Sequence, residues 1–291
     1  MSIPSWTERG RRADVGGNEV FYIDVGDGES IVFLHGYPSS SYDLHLVIDQ
    51  LAGRHRVVAH DHVGFGMSSK PRDFPYTLRA QATVATELYA QLGLDRVHLV
   101  AHDYGQTVAA ELLARRAEGE LELDIATVTL CNGSTLIELA EMSRLQRLVP
   151  TPILGRLLVN LSNRWIFRRQ LRRVLGRNDA VPDGELDDMW HLMTRDGGRR
   201  VWPKIARYQA ERRAYAGRFV GALETLDVPS HIVWGRLDAV AVPRMAEVLA
   251  EKVSGARLTW LDDLGHYPML EGPHAWASAV LDFIDDLMSP P

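Results

Sequence analysis

Three residues stand in the order in which a displacement reaction could use them: Asp103, Asp238 and His266. Asp103 is the centre of Ala101-His102-Asp103-Tyr104-Gly105, set between an apolar run and a helix-forming stretch. Small residues at 101 and 105 let a sharp strand-to-helix turn form, and such a turn lifts its middle side chain to the top of a sheet. Serine ordinarily holds that place; here it is aspartate. A carboxylate that attacks an ester or amide carbonyl makes a reactive anhydride, whereas attack on a saturated carbon makes an ordinary alkyl ester. The expected reaction is therefore the opening of a carbon–heteroatom bond at a saturated carbon. Lipase, esterase and protease chemistry lose their nucleophile.

Asp238 closes Gly235-Arg236-Leu237-Asp238, and His266 lies in Leu264-Gly265-His266-Tyr267-Pro268, each just after an apolar run. A single loop histidine is more often structural, but the order nucleophile, acid, histidine is the one such sites keep. His35-Gly36-Tyr37-Pro38 also follows a buried run, at the loop that supplies one N–H of an oxyanion hole. The other N–H comes from the residue after the nucleophile, so the backbone groups of Tyr37 and Tyr104 form the expected pair.

The elements that must position these residues alternate short β-branched runs with helical stretches, the pattern of a mostly parallel sheet covered by helices. Strands are expected at Asn18–Asp24, Ser30–Leu34, Arg56–Ala59, Val97–Ala101 and Ile125–Cys131, with helices at Tyr76–Leu92 and Tyr104–Ala117. From about Ser134 to Ala222 the alternation stops and the sequence turns Arg-rich and helical, which reads as an inserted cap. Strand patterning returns at His231–Trp234 and Arg257–Leu261, with helices Pro243–Val253 and Pro273–Met288. The expected organisation is an α/β core, 1–133 and 223–291, split by a helical cap, 134–222. The cap holds Trp165, Trp190 and Trp202, which could line an apolar pocket, donate to a halide or simply pack. Its one conspicuous charge run, Arg164–Arg173 (RWIFRRQLRR), suits an anionic membrane, an acidic ligand or a solvated outer face. The acidic remainder of the chain favours the solvated face.

A net charge of -6 supplies no electrostatic reason to bind nucleic acid. Residues 1–14 are polar and broken by Pro4 and Gly10, without an apolar export signal, and no stretch is apolar for the length of a membrane span. A cytoplasmic enzyme is the expectation. Cys131 is the sole cysteine, which excludes an internal disulfide and a cysteine-based metal cage. Displacement and ester hydrolysis both run on the groups named, so no cofactor or metal is called for.

HGYP at His35, DHVGFGMSS at Asp61, HDYG at His102, GRLD at Gly235 and GHYPMLEGP at Gly265 resemble the epoxide hydrolase and haloalkane dehalogenase branch of the α/β hydrolases. SSSYD after HGYP, together with RYQAERR and RFVGAL, is most similar to the mesoderm-specific transcript proteins. The resemblance spans nearly the whole chain. It implies a nucleophilic Asp103, a general-base His266 and an orienting Asp238, acting on a small apolar epoxide or haloalkane with water.

Dehalogenases of this branch usually place tryptophan after the nucleophile and often asparagine after His-Gly; Tyr104 and Tyr37 stand there instead. An aromatic residue after His-Gly and a histidine before the nucleophile are the epoxide hydrolase pattern. That family's ring-opening tyrosines lie in the cap, where Tyr208 is the best match and Tyr215 the second. No tyrosine stands between Tyr104 and Tyr208, so the first of the usual pair is missing. His35 and Trp165 complete the expected substrate-contacting set. Epoxide hydrolase is the leading reading; a haloalkane dehalogenase, a related lactone-cleaving enzyme and a non-catalytic homologue are the alternatives.

Overall fold

The computed structural model describes residues 1–141, 147–151 and 153–288. The chain opens with α1 (Ile3–Arg9), capped by Ser2, with Pro4 in the first turn, where its missing N–H costs nothing. A hairpin follows, β1 (Arg11–Val15) and β2 (Asn18–Val25), joined at Gly16-Gly17 with both glycines at positive φ. Residues 1–14 are therefore regular rather than broken. Their pattern is hard to read because Trp6 is the one buried side chain of α1 and Val15 the one of β1.

Next come β3 (Ser30–Leu34), α2 (Ile48–Ala52), β4 (Arg56–His60), α3 (Leu78–Gln91), β5 (Arg96–His102), α4 (Tyr104–Ala117) and β6 (Asp124–Cys131). Helix α3 begins two residues later than expected because Thr77 caps it, its Oγ1 accepting from the Ala80 N–H at 3.1 Å. Between β6 and β7 (Ser230–Gly235) the described residues form α5 (Leu154–Leu161), α6 (Arg164–Arg172), α7 (Asp183–Thr194), α8 (Gly198–Ile205), α9 (Tyr208–Ala214) and α10 (Ala216–Glu224). Residues 142–146 and 152 of the expected cap lie outside the described set. The chain ends with α11 (Pro243–Lys252), β8 (Arg257–Leu261), α12 (Pro268–Glu271) and α13 (Pro273–Met288).

The eight strands form one sheet in the order β1-β2-β4-β3-β5-β6-β7-β8. Pairs β1/β2 and β2/β4 are antiparallel and the others parallel. Side chains alternate between faces: Val32 and Leu34 pack with Val108 of α4, whereas Ile31 and Phe33 pack with Trp276 of α13. Each such buried side chain contributes about 1.5–3 kcal/mol, which is why both faces need helices. From β3 the chain crosses to β4 on one side and returns through α3 to β5 on the other. The connections diverge between the carboxyl ends of β3 and β5, the switch point where open parallel sheets place their sites. Among the described residues no helix is long and apolar enough to cross a membrane.

Candidate active site

Asp103 joins β5 to α4 with φ 44° and ψ -105°. For a residue with a Cβ such a conformation costs about 1–3 kcal/mol and persists only where its surroundings enforce it. Enforcement comes from both sides. Gly105 lies so close to β3 that a Cβ there would come within 2.1 Å of the Leu34 carbonyl oxygen. A Cβ on Gly36 would meet His102 Nδ1 at 2.7 Å and the Asp103 Cβ at 3.0 Å. The β3 loop is thereby pressed onto the elbow, and the Tyr37 N–H donates to Asp103 Oδ2 at 2.9 Å. Tyr104 is the first residue of α4, so its N–H belongs to the helix terminus and has no partner within the helix.

His266 and Asp238 meet beside this turn, His266 Nδ1 donating to Asp238 Oδ2 at 2.7 Å. The remaining acceptor sites of Asp238 are filled. Oδ1 takes the N–H groups of Val240 and Ala241 at 2.7 and 2.9 Å, and Oδ2 takes the Asn132 side-chain amide at 2.8 Å. Asn132 in turn accepts from the Gly235 N–H at 2.9 Å, locking the ends of β6 and β7 together. Burial works against a charged His266, but the Asp238 carboxylate bonded to it and the charge of Asp103 outweigh that, raising its pKa to about 9. The loop that carries His266 is fixed from behind: His102 Nε2 donates to the His266 carbonyl at 2.7 Å. Glu271 accepts the N–H groups of Gly265 and Tyr267, both at 3.0 Å.

A cavity of about 590 Å³ opens over Asp103, lined from the sheet side by Tyr37 and His266 and from the helical segment by Trp202, Tyr208, Gln209 and Arg212. The Tyr208 ring sits 5.4 Å from that of Tyr37 and 5.1 Å from that of Tyr104. Burial and the charge of Asp103 push the Tyr208 phenol above its ordinary pKa, and burial, Tyr208 and Asp103 do the same for Tyr37. Both hydroxyls keep their protons at neutral pH. The Trp202 indole N–H donates to the Tyr37 hydroxyl oxygen. Arg212, 1% exposed, lies with its guanidinium carbon 4.6 Å from the Tyr208 ring. It donates from Nε to Thr107 Oγ1 at 2.7 Å and from Nη2 to the Asp103 carbonyl at 3.0 Å.

The α/β hydrolase fold family model matches residues 29–273. The chain belongs to that family. Along its length this α/β-hydrolase-fold chain is 35% identical to the mesoderm-specific transcript protein of Mus musculus, over 98% of this chain and 88% of the other. It is likewise 35% identical to LipZ of Mycobacterium tuberculosis, over 98% and 99%. More distant likeness, over 34% of the chain, links it to a soluble epoxide hydrolase of Corynebacterium at 39% identity and to haloalkane dehalogenase 2 of Mycobacterium bovis at 35%. Among solved structures, Cfl2 of Burkholderia cenocepacia superposes with a TM-score of 0.82 at 26% identity, covering 94% of this chain and 95% of that one.

Within this hydrolase fold, Asp103, Asp238, His266, Tyr37, Tyr104 and Tyr208 come together, whereas three expected substrate contacts do not. Trp165 is 63% exposed on the outer face of α6, its ring under the Arg164 and Arg168 guanidinium groups rather than in the cavity. Tyr215 is 42% exposed and packs against Arg79. His35 is fully buried beneath the loop, Nδ1 donating to the Gly36 carbonyl and Nε2 accepting from the His62 N–H, so it braces the loop. Sequence reasoning missed Asn132 and Arg212. The signal for Asn132 was its place at the end of β6; Arg212 stands one helical turn after Tyr208, on the same face of α9.

Proposed function

We propose that the protein is an epoxide hydrolase that opens its substrate through an alkyl ester on Asp103, with residues 134–222 as the cap over the site. The observation that carries this reading is the pair of protonated phenols, Tyr37 and Tyr208, set beside a carboxylate already held by a backbone N–H. Asp103 Oδ1 attacks a ring carbon, the C–O bond breaks toward oxygen, and Tyr208 supplies the proton that the alkoxide needs. Tyr37, its ring 5.4 Å from that of Tyr208, supplies the second phenol in place of the missing first tyrosine of the pair. Its oxygen already accepts from Trp202, which leaves its own O–H free to donate.

His266 then removes a proton from water, which attacks the ester carbon. The oxyanion forms on Oδ2, where the Tyr37 N–H already points and the Tyr104 N–H assists. Collapse expels the diol oxygen, which takes the proton from His266, and the Asp103 carboxyl proton restores the Tyr208 phenolate. Esterification also neutralises Asp103, one of the charges that raise the His266 pKa, so the imidazole becomes freer to act as a base at the step that needs one. A halide would require N–H donors, and the Trp202 indole is already committed to Tyr37.

The deciding experiment offers the enzyme a panel of epoxides and haloalkanes and follows diol and halide release. A single turnover in ¹⁸O-water is expected to label Asp103 and leave the first diol unlabelled. Label in that diol instead would mean direct attack by water and overturn the ester. Halide release without diol formation would assign a dehalogenase, and no turnover with retained ligand binding a non-catalytic homologue.

A further inference from the structure

Helices α5 and α6 carry a second, solvent-exposed apolar surface. Thirteen large apolar side chains are exposed among the described residues, and seven fall between Leu148 and Ile166. Ile153, Leu157 and Leu161 recur at four-residue spacing and are 86%, 52% and 65% exposed, while Val159 of the same helix is buried. Trp165, at 63%, continues the stripe onto α6. Such a stripe is too concentrated to be the ordinary scatter of surface apolar residues.

Cations frame it. Arg164, Arg168 and Arg172 are tied to Asp183 and Asp187. Arg156, Arg169 and Arg173 have no ion pair among the described residues, and all three are exposed. Residues 134–222 hold 17 Lys and Arg against 9 Asp and Glu, although the whole chain has 32 against 38. The basic excess of an otherwise acidic chain therefore falls in the segment that carries this face. A tryptophan stacked beneath two guanidinium groups and flanked by leucines is the composition of a helix that lies in a bilayer interface.

We propose that this face docks on an anionic phospholipid bilayer. Helix α6 joins the docking face to the cavity: Ile166 is 41% exposed and also lines the cavity, as do Phe167 and Arg173. Docking sets the cavity mouth against the lipid, from which an apolar substrate enters without crossing water. That delivery role rests on the proposed catalytic function; the docking does not. A second copy of the chain fits less well, because a two-fold contact through this face would press arginines against arginines.

The test is co-sedimentation of the full chain, without substrate, with phosphatidylcholine vesicles and with vesicles containing one-third phosphatidylglycerol. Each cation near such a surface is worth about a fivefold gain in partitioning, so anionic vesicles are expected to bind at least tenfold more protein, and high salt to release it. The double variant Leu157→Ser/Leu161→Ser removes the apolar stripe and Arg156→Gln/Arg169→Gln the free charge. Each is expected to cut binding at least tenfold while unfolding temperature and turnover of a water-soluble substrate stay unchanged. Equal binding to both vesicle types, or variants that bind as wild type does, would overturn the proposal. So would a concentration-dependent dimer, abolished by the same variants and indifferent to vesicles, which would give the face to a second copy.

Discussion

The Tyr37 N–H and the Asp103 carboxylate meet at 2.9 Å, although 66 residues separate them in the chain. The contact holds Oδ2 and leaves Oδ1, 3.8 Å from the Arg212 guanidinium, as the oxygen that can attack, with the elbow at φ 44°. Glycine tolerates positive φ far better than aspartate does. Asp103→Gly is therefore expected to abolish turnover and still raise the unfolding temperature, by about 2–4 °C for a gain near 1 kcal/mol in a chain of this size. Calorimetry and an activity assay on the same sample decide it. A destabilised variant would mean that the carboxylate's bonds outweigh the backbone strain.

Replacing His266 with glutamine separates the two halves of the proposed reaction. Attack by Asp103 needs no base, whereas hydrolysis of the ester does. His266→Gln should accumulate the ester, seen by intact-protein mass spectrometry as a substrate-sized adduct that digestion places on Asp103. If no adduct forms under conditions where wild type turns over, the covalent route is wrong.

The charge of Asp103 is among the causes that hold the His266 pKa up at about 9. Asp103→Asn keeps the shape and removes the charge, so the His266 titration, followed by NMR of its ring, should move to lower pH. The same shift reads out in stability. A histidine whose pKa is raised on folding stabilises the fold fully below about 6.5, its unfolded value, and loses that contribution as pH rises through the folded value. In Asp103→Asn the loss should begin at the same pH, be smaller and be complete at lower pH than in wild type. An unmoved titration would mean that Asp238 alone governs the imidazole.

Much of this was legible in the sequence because the core strands are buried on both faces and read as unbroken apolar runs. Ser30–Leu34, buried throughout, stands as expected, and the half-buried edge strand Arg257–Leu261 also keeps its expected bounds. The three groups facing one another at the elbow were legible for another reason: each directly follows such a run. The side chains of residues 134–222 were not. Trp165 and Trp202 look alike in a helical, Arg-rich text, and the side of the helix each occupies depends on tertiary packing: one lies outside under two arginines, the other reaches the Tyr37 hydroxyl. Arg212 was hidden because an arginine in a basic stretch reads as solvated surface, whereas it is buried against the backbone of the elbow.

Arg212 lies against the Tyr208 ring and donates in its own plane to Thr107 Oγ1 and the Asp103 carbonyl. Lysine cannot serve both Thr107 and Asp103 from one plane, so Arg212→Lys should not behave as a conservative change. The expected cost is about 2–3 kcal/mol in denaturant unfolding, the scale of hydrogen bonds to a charged group. Epoxide opening should slow as Tyr208 loses its stacking partner, while halide displacement, if any substrate supports it, should be less affected. A variant with wild-type stability and rates would reduce Arg212 to a spectator.

The two phenols give the sharpest test of the leaving group. Tyr208 and Tyr37 both stay protonated in the cavity, and their rings lie 5.4 Å apart, so either could reach the oxygen of a bound epoxide. An alkoxide without a proton donor leaves far more slowly than chloride or bromide, and general-acid assistance is worth about a hundredfold to ten-thousandfold. Single-turnover ester formation from an accepted epoxide is therefore expected to fall by about that factor in the double variant Tyr37→Phe/Tyr208→Phe. Each single variant should lose less, because the remaining phenol still donates. The Tyr37 N–H on Asp103 is a backbone group and survives in Tyr37→Phe, so ester hydrolysis, measured as decay of the trapped adduct, should be nearly unchanged there. Equal opening rates in wild type and the double variant would remove both phenols from the chemistry. A slowed hydrolysis step in Tyr37→Phe would show that the phenol acts through the loop rather than on the substrate oxygen.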